Sequence, residues 1–169
     1  MREMTKMWLD EAWGEGRHIK RTTKIDANTG IVLTNGVFDI LHKGHIELLK
    51  FSKIQGTKLI VAIDSDRRVK ELKGNDRPIN NEEDRRRILE TNRYVDEVVI
   101  FDSTEELQEL YNTLSPDVIV KGSEWTADEV RDRDCIPESI QVKVYPLVGD
   151  YSTTSVMHKI RDMETCEKI

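Results

Sequence analysis

Apolar positions along the chain fall into short, almost unbroken runs, separated by polar stretches that carry apolar residues at helical spacing. Ile31-Val32-Leu33, Lys58–Asp64, Val98–Phe101, Asp117–Val120 and Gln141–Tyr145 are such runs. They read as strands covered on both faces. Ile46, Leu48, Leu49 and Phe51 predict a helix that begins near His42 and runs over about 44–55. The segment Asp64–Arg68 is polar, and Lys73–Pro78 is turn-rich and basic, which predicts a loop. Asn80 with Glu83 is a capping signature for a helix over about 81–92. Ser103 with Glu106 is a second one, followed by a core stripe of Leu107, Leu110, Tyr111 and Leu114. Residues 123–138 are polar, with a short helix at 126–133. Pro146 ends the fifth strand, and Val156, Ile160 and Met163 share one face of a last helix that starts at Ser152-Thr153-Thr154. Five strands alternating with helices define an α/β domain with a parallel sheet.

Composition narrows the class. The 169 residues suit one domain, assigned to 30–169, with 1–29 as an N-terminal arm carrying Trp8 and Trp13 as docking residues. Hydrophobic residues at 37% and charged residues at 34% describe a soluble globular chain. No apolar run approaches the roughly 20 residues of a membrane span, and the first residues lack a signal-peptide core. Cys135 and Cys166 make neither a disulfide framework nor a metal cluster, so a cytoplasmic protein with reduced thiols is expected. The net charge of −6 argues against nucleic acid as a partner, but leaves room for a small anion bound by local charge.

Candidate chemistry gathers at one rim. Asn35-Gly36 closes the first strand, and His42 and His45 flank Gly44 where the next helix starts. A helix start collects unpaired N–H groups and suits an anion, and Gly44 leaves space for a phosphate to approach. Ser152-Thr153-Thr154 forms a second helix start, whose plainest reading is a cap. Asp64 and Lys121-Gly122 also fall at strand C-terminal ends, where ligands of parallel sheets bind. Of the successive Arg85, Arg86 and Arg87, one or two at most can face a ligand, and Arg86 and Arg87 are assigned to a solvated face. No P-loop and no G-x-G-x-x-G fingerprint is present. Two histidines, two helix starts and scattered cations fit transfer of a nucleotidyl group, with Mg²⁺ bridging the phosphates. A phosphate monoester is mostly dianionic at neutral pH and needs no general base as the acceptor.

The stretch N-G-V-F-D-I-L-H-K-G-H resembles the His-x-Gly-His nucleotidyltransferases, specifically the small cytidylyltransferase-like enzymes. The resemblance extends through K-G-N-D-R-P-I-N at 73–80, E-D-R-R-R-I-L at 83–89, R-Y-V-D-E-V at 93–98, V-K-G-S-E-W at 120–125 and Y-S-T-T at 151–154. It implies a Rossmann-like, doubly wound, five-stranded sheet, and a homodimer. It implies His42, His45 and Lys73 as catalytic residues. Asn35, Gly36, Val37, Phe38, Asp39, Gly44, Arg85, Lys121, Gly122, Ser152, Thr153 and Thr154 would hold the nucleotide. Asp39, Asp64, Glu124 and Trp125 would face the acceptor, no residue would hold a metal, and Lys43 would face solvent. The loops resemble the adenylyltransferase half of the bifunctional ADP-heptose synthesis proteins, and a chain without their sugar-kinase half is expected. The phosphorylated sugar is then expected from a separate enzyme. R-Y-V-D-E-V instead resembles glycerol-3-phosphate cytidylyltransferase, although the arginine that branch carries ahead of Ser-Thr-Thr is missing. The partners are a nucleoside triphosphate and a phosphorylated sugar or polyol. An inactive nucleotide-binding module is the remaining alternative.

Overall fold

β1 (Ile31–Gly36) is the middle strand of a five-stranded sheet. The others are β2 (Lys58–Asp64), β3 (Glu97–Phe101), β4 (Val118–Gly122) and β5 (Gln141–Tyr145), in the order β3-β2-β1-β4-β5. Every neighbouring pair is parallel. The structure is a computed structural model that describes residues 30–122, 125–146 and 151–166, so the arm at 1–29 lies outside the described residues. The winding reverses between β1 and β4, which leaves a crevice beyond the C-terminal ends of those two strands.

Helices cover both faces: α1 (Lys43–Lys53), α2 (Asp66–Lys73), α3 (Glu82–Glu90), α4 (Thr104–Leu114), α5 (Ala127–Asp134) and α6 (Thr153–Cys166). Alternate residues of each strand feed two cores. Val32, Val61 and Val120 pack with Leu49 of α1 and Leu89 of α3. Leu33, Ile60 and Ile119 pack with Leu107 and Tyr111 of α4 and Val130 of α5. All five residues from Leu59 to Ile63 are fully buried, which is why that run shows no alternation.

Three local readings change, and one apolar face proves exposed. The polar segment after β2 is the helix α2, capped by Ser65, whose hydroxyl accepts from the Arg68 N–H at 3.1 Å. Val69 is its buried residue, so it carries almost no periodic signal. Asn81 rather than Asn80 caps α3, accepting from the Asp84 N–H at 2.9 Å. Lys121-Gly122 belongs to β4 instead of following it. On α6, Ile160 and Met163 are 53% and 71% exposed, so their shared face is not core.

Candidate active site

The turn from β1 into α1 is bent twice against ordinary preference. Phe38 (φ 50°) and Ile40 (φ 46°) both adopt left-handed backbone, a strained state for residues with bulky side chains. Asp39 between them is buried and fixes the turn. One carboxylate oxygen accepts from the Ile79 N–H (2.7 Å), and the other accepts from the Asn80 N–H (3.0 Å) and side-chain amide (3.1 Å). Its carbonyl accepts from the Thr153 hydroxyl at 2.7 Å. Asp39 therefore joins the turn, the 74–81 loop and the start of α6.

His42 stands at the N-cap of α1 in extended conformation, as the sequence predicts. Its N–H donates to Nδ1 of His45 at 3.4 Å. With Nδ1 accepting, the neutral His45 ring carries its proton on Nε2, a donor for a ligand. The two rings stack with centroids 3.8 Å apart, and Phe38 backs His45 at 5.2 Å. Nδ1 of His42 is buried with no hydrogen-bond partner. Gly44 is required by this packing: a Cβ there would meet the His42 ring at 3.1 Å and Cβ of Tyr151 at 3.3 Å. Lys43 is exposed, its ammonium 5.9 Å from the Tyr151 ring centroid.

Burial holds His45 well below its ordinary value, at about 4, with His42 and Lys73 adding to the effect and Asp39 opposing it. Burial also lowers His42. Both rings are then neutral near pH 7, when they can donate without repelling each other. Because His45 in the unfolded chain takes up a proton near 6.5 and in the folded chain only near 4, acid favours unfolding between those values. Its contribution is complete above pH 6.5 and is lost as pH falls toward 4, at no more than about 1.4 kcal/mol per pH unit. Urea titrations at pH 7 and 4.5 check this: His45→Gln should flatten the dependence.

These groups surround a cavity of about 300 Å³ at the β1/β4 crevice. It brings together thirteen of the predicted positions: 35–39, His42, Gly44, His45, Lys73, Gly122 and 152–154. A Cβ on Gly122 would lie 3.1 Å from Leu48, which explains a glycine at the cavity wall. At the second helix start the three hydroxyls divide their work. Ser152 accepts from the Ser155 N–H at 3.0 Å, as a cap does; Thr153 binds the Asp39 carbonyl; Thr154 accepts from the Arg77 guanidinium at 3.3 Å.

Other predicted positions lie away from the cavity. Arg85 is fully buried and donates to the carbonyls of Val37 (2.7 Å), Asp64 (2.9 Å) and Asn80 (3.0 Å) and to the Asp66 carboxylate (2.7 Å). It braces the site from behind, while Arg86 and Arg87 pair with Glu83 at the surface as expected. Lys121 is turned to the α4/α5 face, 2.9 Å from both Asn35 Oδ1 and Asp134; burial lowers its pKa and Asp134 opposes that. Asp64 is buried in an ion pair with Arg68 at 2.8 Å. Trp125 is half exposed, with the Arg133 guanidinium 4.8 Å from its ring centroid, and Glu124 lies outside the described residues. The cavity also includes residues that the reading of the sequence did not assign to it: Arg77, Leu48, Val69, Tyr145 and Tyr151. Arg77 lay within the Lys73–Asn80 motif, a signal that was available.

Residues 33–164 match the cytidylyltransferase-like family model, and the chain belongs to that family of nucleotidyltransferases. Among its curated relatives is a bifunctional protein HldE of Campylobacter fetus subsp. fetus. It is 39% identical over 167 residues, which cover 90% of this chain and 36% of that protein. The HldE of Koribacter versatilis is 46% identical over 130 residues, covering 76% of this chain and 26% of that protein. The chain thus spans about a third or less of the length of these relatives. Among solved structures, the lipopolysaccharide core biosynthesis protein of Thermoplasma volcanium GSS1 aligns with TM-score 0.56 and 28% identity. The alignment covers 73% of this chain and 99% of that one. Pantothenate synthetase of Thermus thermophilus (TM-score 0.51, 14% identity, covering 75% of this chain and 61% of that one) shares the fold.

Proposed function

We propose that this chain transfers a nucleoside monophosphate from a nucleoside triphosphate to a sugar phosphate, releasing pyrophosphate, as a heptose 1-phosphate adenylyltransferase does. The observation that carries the reading is the stacked pair His42–His45 at the start of α1, in a cavity closed by a second helix start. A phosphate oxygen of the acceptor attacks the α-phosphorus and forms the new P–O bond. The bond to the β-phosphate breaks, and its electron pair leaves on pyrophosphate. The dianionic acceptor needs no base, so the chain contributes position and charge stabilisation. His45 Nε2–H donates to an oxygen on the α-phosphorus, and Lys73 at the end of α2 supplies a cation.

Mg²⁺ belongs to the same reading, where it would neutralise phosphate charge when bound. No group of three or more His, Cys, Asp or Glu capable of holding a metal occurs among the described residues. Both Asp39 oxygens are already taken by N–H donors. The residues therefore fit an ion that arrives on the triphosphate and keeps water and phosphate oxygens as ligands. A cytoplasmic homodimer completes the proposal. The homodimer is supported by β3, an edge strand among the described residues, and by exposed Ile100 on that strand and Ile88 on α3.

The loop motif at 73–80, whose Lys73 and Arg77 line the cavity, supports ATP and a sugar 1-phosphate, as in the adenylyltransferase branch that it resembles. The competing motif 93–98 is used in packing. Asp96 accepts from the Leu59 N–H at 2.6 Å and from Lys53 at 2.5 Å, and Tyr94 and Val95 pack against the core. A pyrophosphate-release panel of four nucleoside triphosphates against sugar 1-phosphates and glycerol 3-phosphate decides the matter. ATP with a sugar 1-phosphate is expected to give the fastest release. Turnover confined to CTP with glycerol 3-phosphate would reassign the substrates, and nucleotide binding without release would leave a binding module.

A further inference from the structure

The cavity carries two cations, Lys73 and Arg77, and neither has a carboxylate partner among the described residues. The arginines around them differ in this respect. Arg67, Arg68, Arg85, Arg86 and Arg87 are each paired with an Asp or Glu within 2.9 Å. Arg77 is half-buried at the cavity wall, and among the described residues its guanidinium has one hydrogen bond, to the Thr154 hydroxyl on the first turn of α6. A guanidinium has five donors in a planar fork that matches phosphate oxygens, so the described residues leave most of this capacity unspent.

The backbone holds this cation in place from both sides. Gly74 (φ +95°) ends α2 in a conformation that L side chains rarely adopt, and its carbonyl accepts from the Arg77 N–H at 3.1 Å. Two and three residues past Arg77, Ile79 and Asn80 are fixed to the Asp39 carboxylate. Asp39 belongs to the same turn as the histidine pair, so Arg77 is held in register with the reacting centre. Lys73 acts electrostatically on His45, whereas Arg77 reaches the other helix start. No arginine occurs in residues 147–151 leading into α6, and Arg77 comes to that helix start from a different loop.

We infer that Arg77 binds the β- and γ-phosphates of the triphosphate and stabilises the negative charge that gathers on pyrophosphate as it leaves. The inference rests on the nucleotidyl-transfer reading above and assigns the leaving group its own residue. As the bond between the α-phosphorus and the bridging oxygen breaks, the electron pair passes to that oxygen. A fixed guanidinium beside it then binds more tightly than in the ground state.

The experiment measures binding of inorganic pyrophosphate with Mg²⁺ by calorimetry, to the wild-type chain and to Arg77→Gln and Arg77→Lys. Inorganic phosphate serves as the monophosphate control, and thermal unfolding checks the fold. Arg77→Gln should weaken pyrophosphate binding about 10- to 100-fold, the value of a lost charge-assisted hydrogen bond. Arg77→Lys keeps the charge without the fork and should fall between the two. In kinetics, kcat should fall with Arg77→Gln while KM for the acceptor stays put. Unchanged pyrophosphate affinity in Arg77→Gln would overturn the inference and leave nucleotidyl transfer standing. An increase in acceptor KM with intact pyrophosphate binding would also overturn it, by placing Arg77 at the acceptor. A wild-type chain that neither binds pyrophosphate nor releases it from any triphosphate would overturn both.

Discussion

His45→Ala is expected to lower turnover about 10²–10³-fold, the usual cost of removing one preorganised donor from a site of developing charge. The donor is preorganised in four ways. Nδ1 accepts from the His42 N–H, which fixes the tautomer; His42 stacks on one side and Phe38 supports the ring from another; burial keeps it uncharged. Loss of the ring costs packing in a part-buried side chain and one long hydrogen bond, so circular dichroism and thermal unfolding should remain close to wild type. His45→Gln retains an N–H donor on a shorter arm and should recover part of the rate. His42→Ala removes both the stacking ring and a second donor, and should fall as far. Near-normal turnover in both alanine variants, measured at saturating substrates, would remove the pair from the mechanism.

Arg85→Met should have the largest effect on stability, a loss of about 3–5 kcal/mol in urea titration. Few domains hold more than about 5–15 kcal/mol in total, so the variant will be marginal at best. The cause is geometric: one guanidinium serves three backbone carbonyls from separate segments and the Asp66 carboxylate, with no exposure to water. Methionine fills much of the volume but leaves these acceptors without their donor. Arg87→Met is the control two residues away. That side chain is 70% exposed and pairs with Glu83 at the surface, so its loss should cost less than about 1 kcal/mol. A small loss for Arg85→Met would mean that water can replace the guanidinium at Val37, Asp64 and Asn80.

Position in sequence made some parts of this molecule legible and hid others. The run Leu59–Ile63 declared a strand buried on both faces because no polar residue interrupts it. The His-x-Gly-His start of α1 was legible because strand, tight turn and helix are adjacent in the chain, and local geometry is what sequence pattern encodes. Arg85 was hidden for the opposite reason. Its partners stand 48, 21 and 5 residues away, so nothing near it in sequence distinguishes it from Arg86 and Arg87. Lys121 shows the same limit: a lysine at a strand end reads as a ligand until Asp134 and Asn35 are seen around it. Helix α2 escaped because a single buried valine carries no period, whereas the apolar residues of α6 have the right period and face outward. Periodicity reports which side of a helix is apolar, and does not say whether anything covers it.

Asp39 makes the wall of this cavity behave as one genetic unit. Segments 40 and 114 residues away from it in sequence meet on it, through Ile79 and Asn80 on the carboxylate and Thr153 on the carbonyl. Contributions that pass through a shared partner do not add. Replacing Asn80 or Thr153 removes one strut; replacing Asp39 releases the carboxylate's hold on the loop, so Asn80 then has little left to lose. Side chains 39 and 80 are thus coupled directly, whereas the Ile79 N–H and the Asp39 carbonyl are backbone groups that most substitutions leave in place. A chain that exchanged Asp39 would carry the released 79–80 loop as a constraint on every later change to its binding pocket.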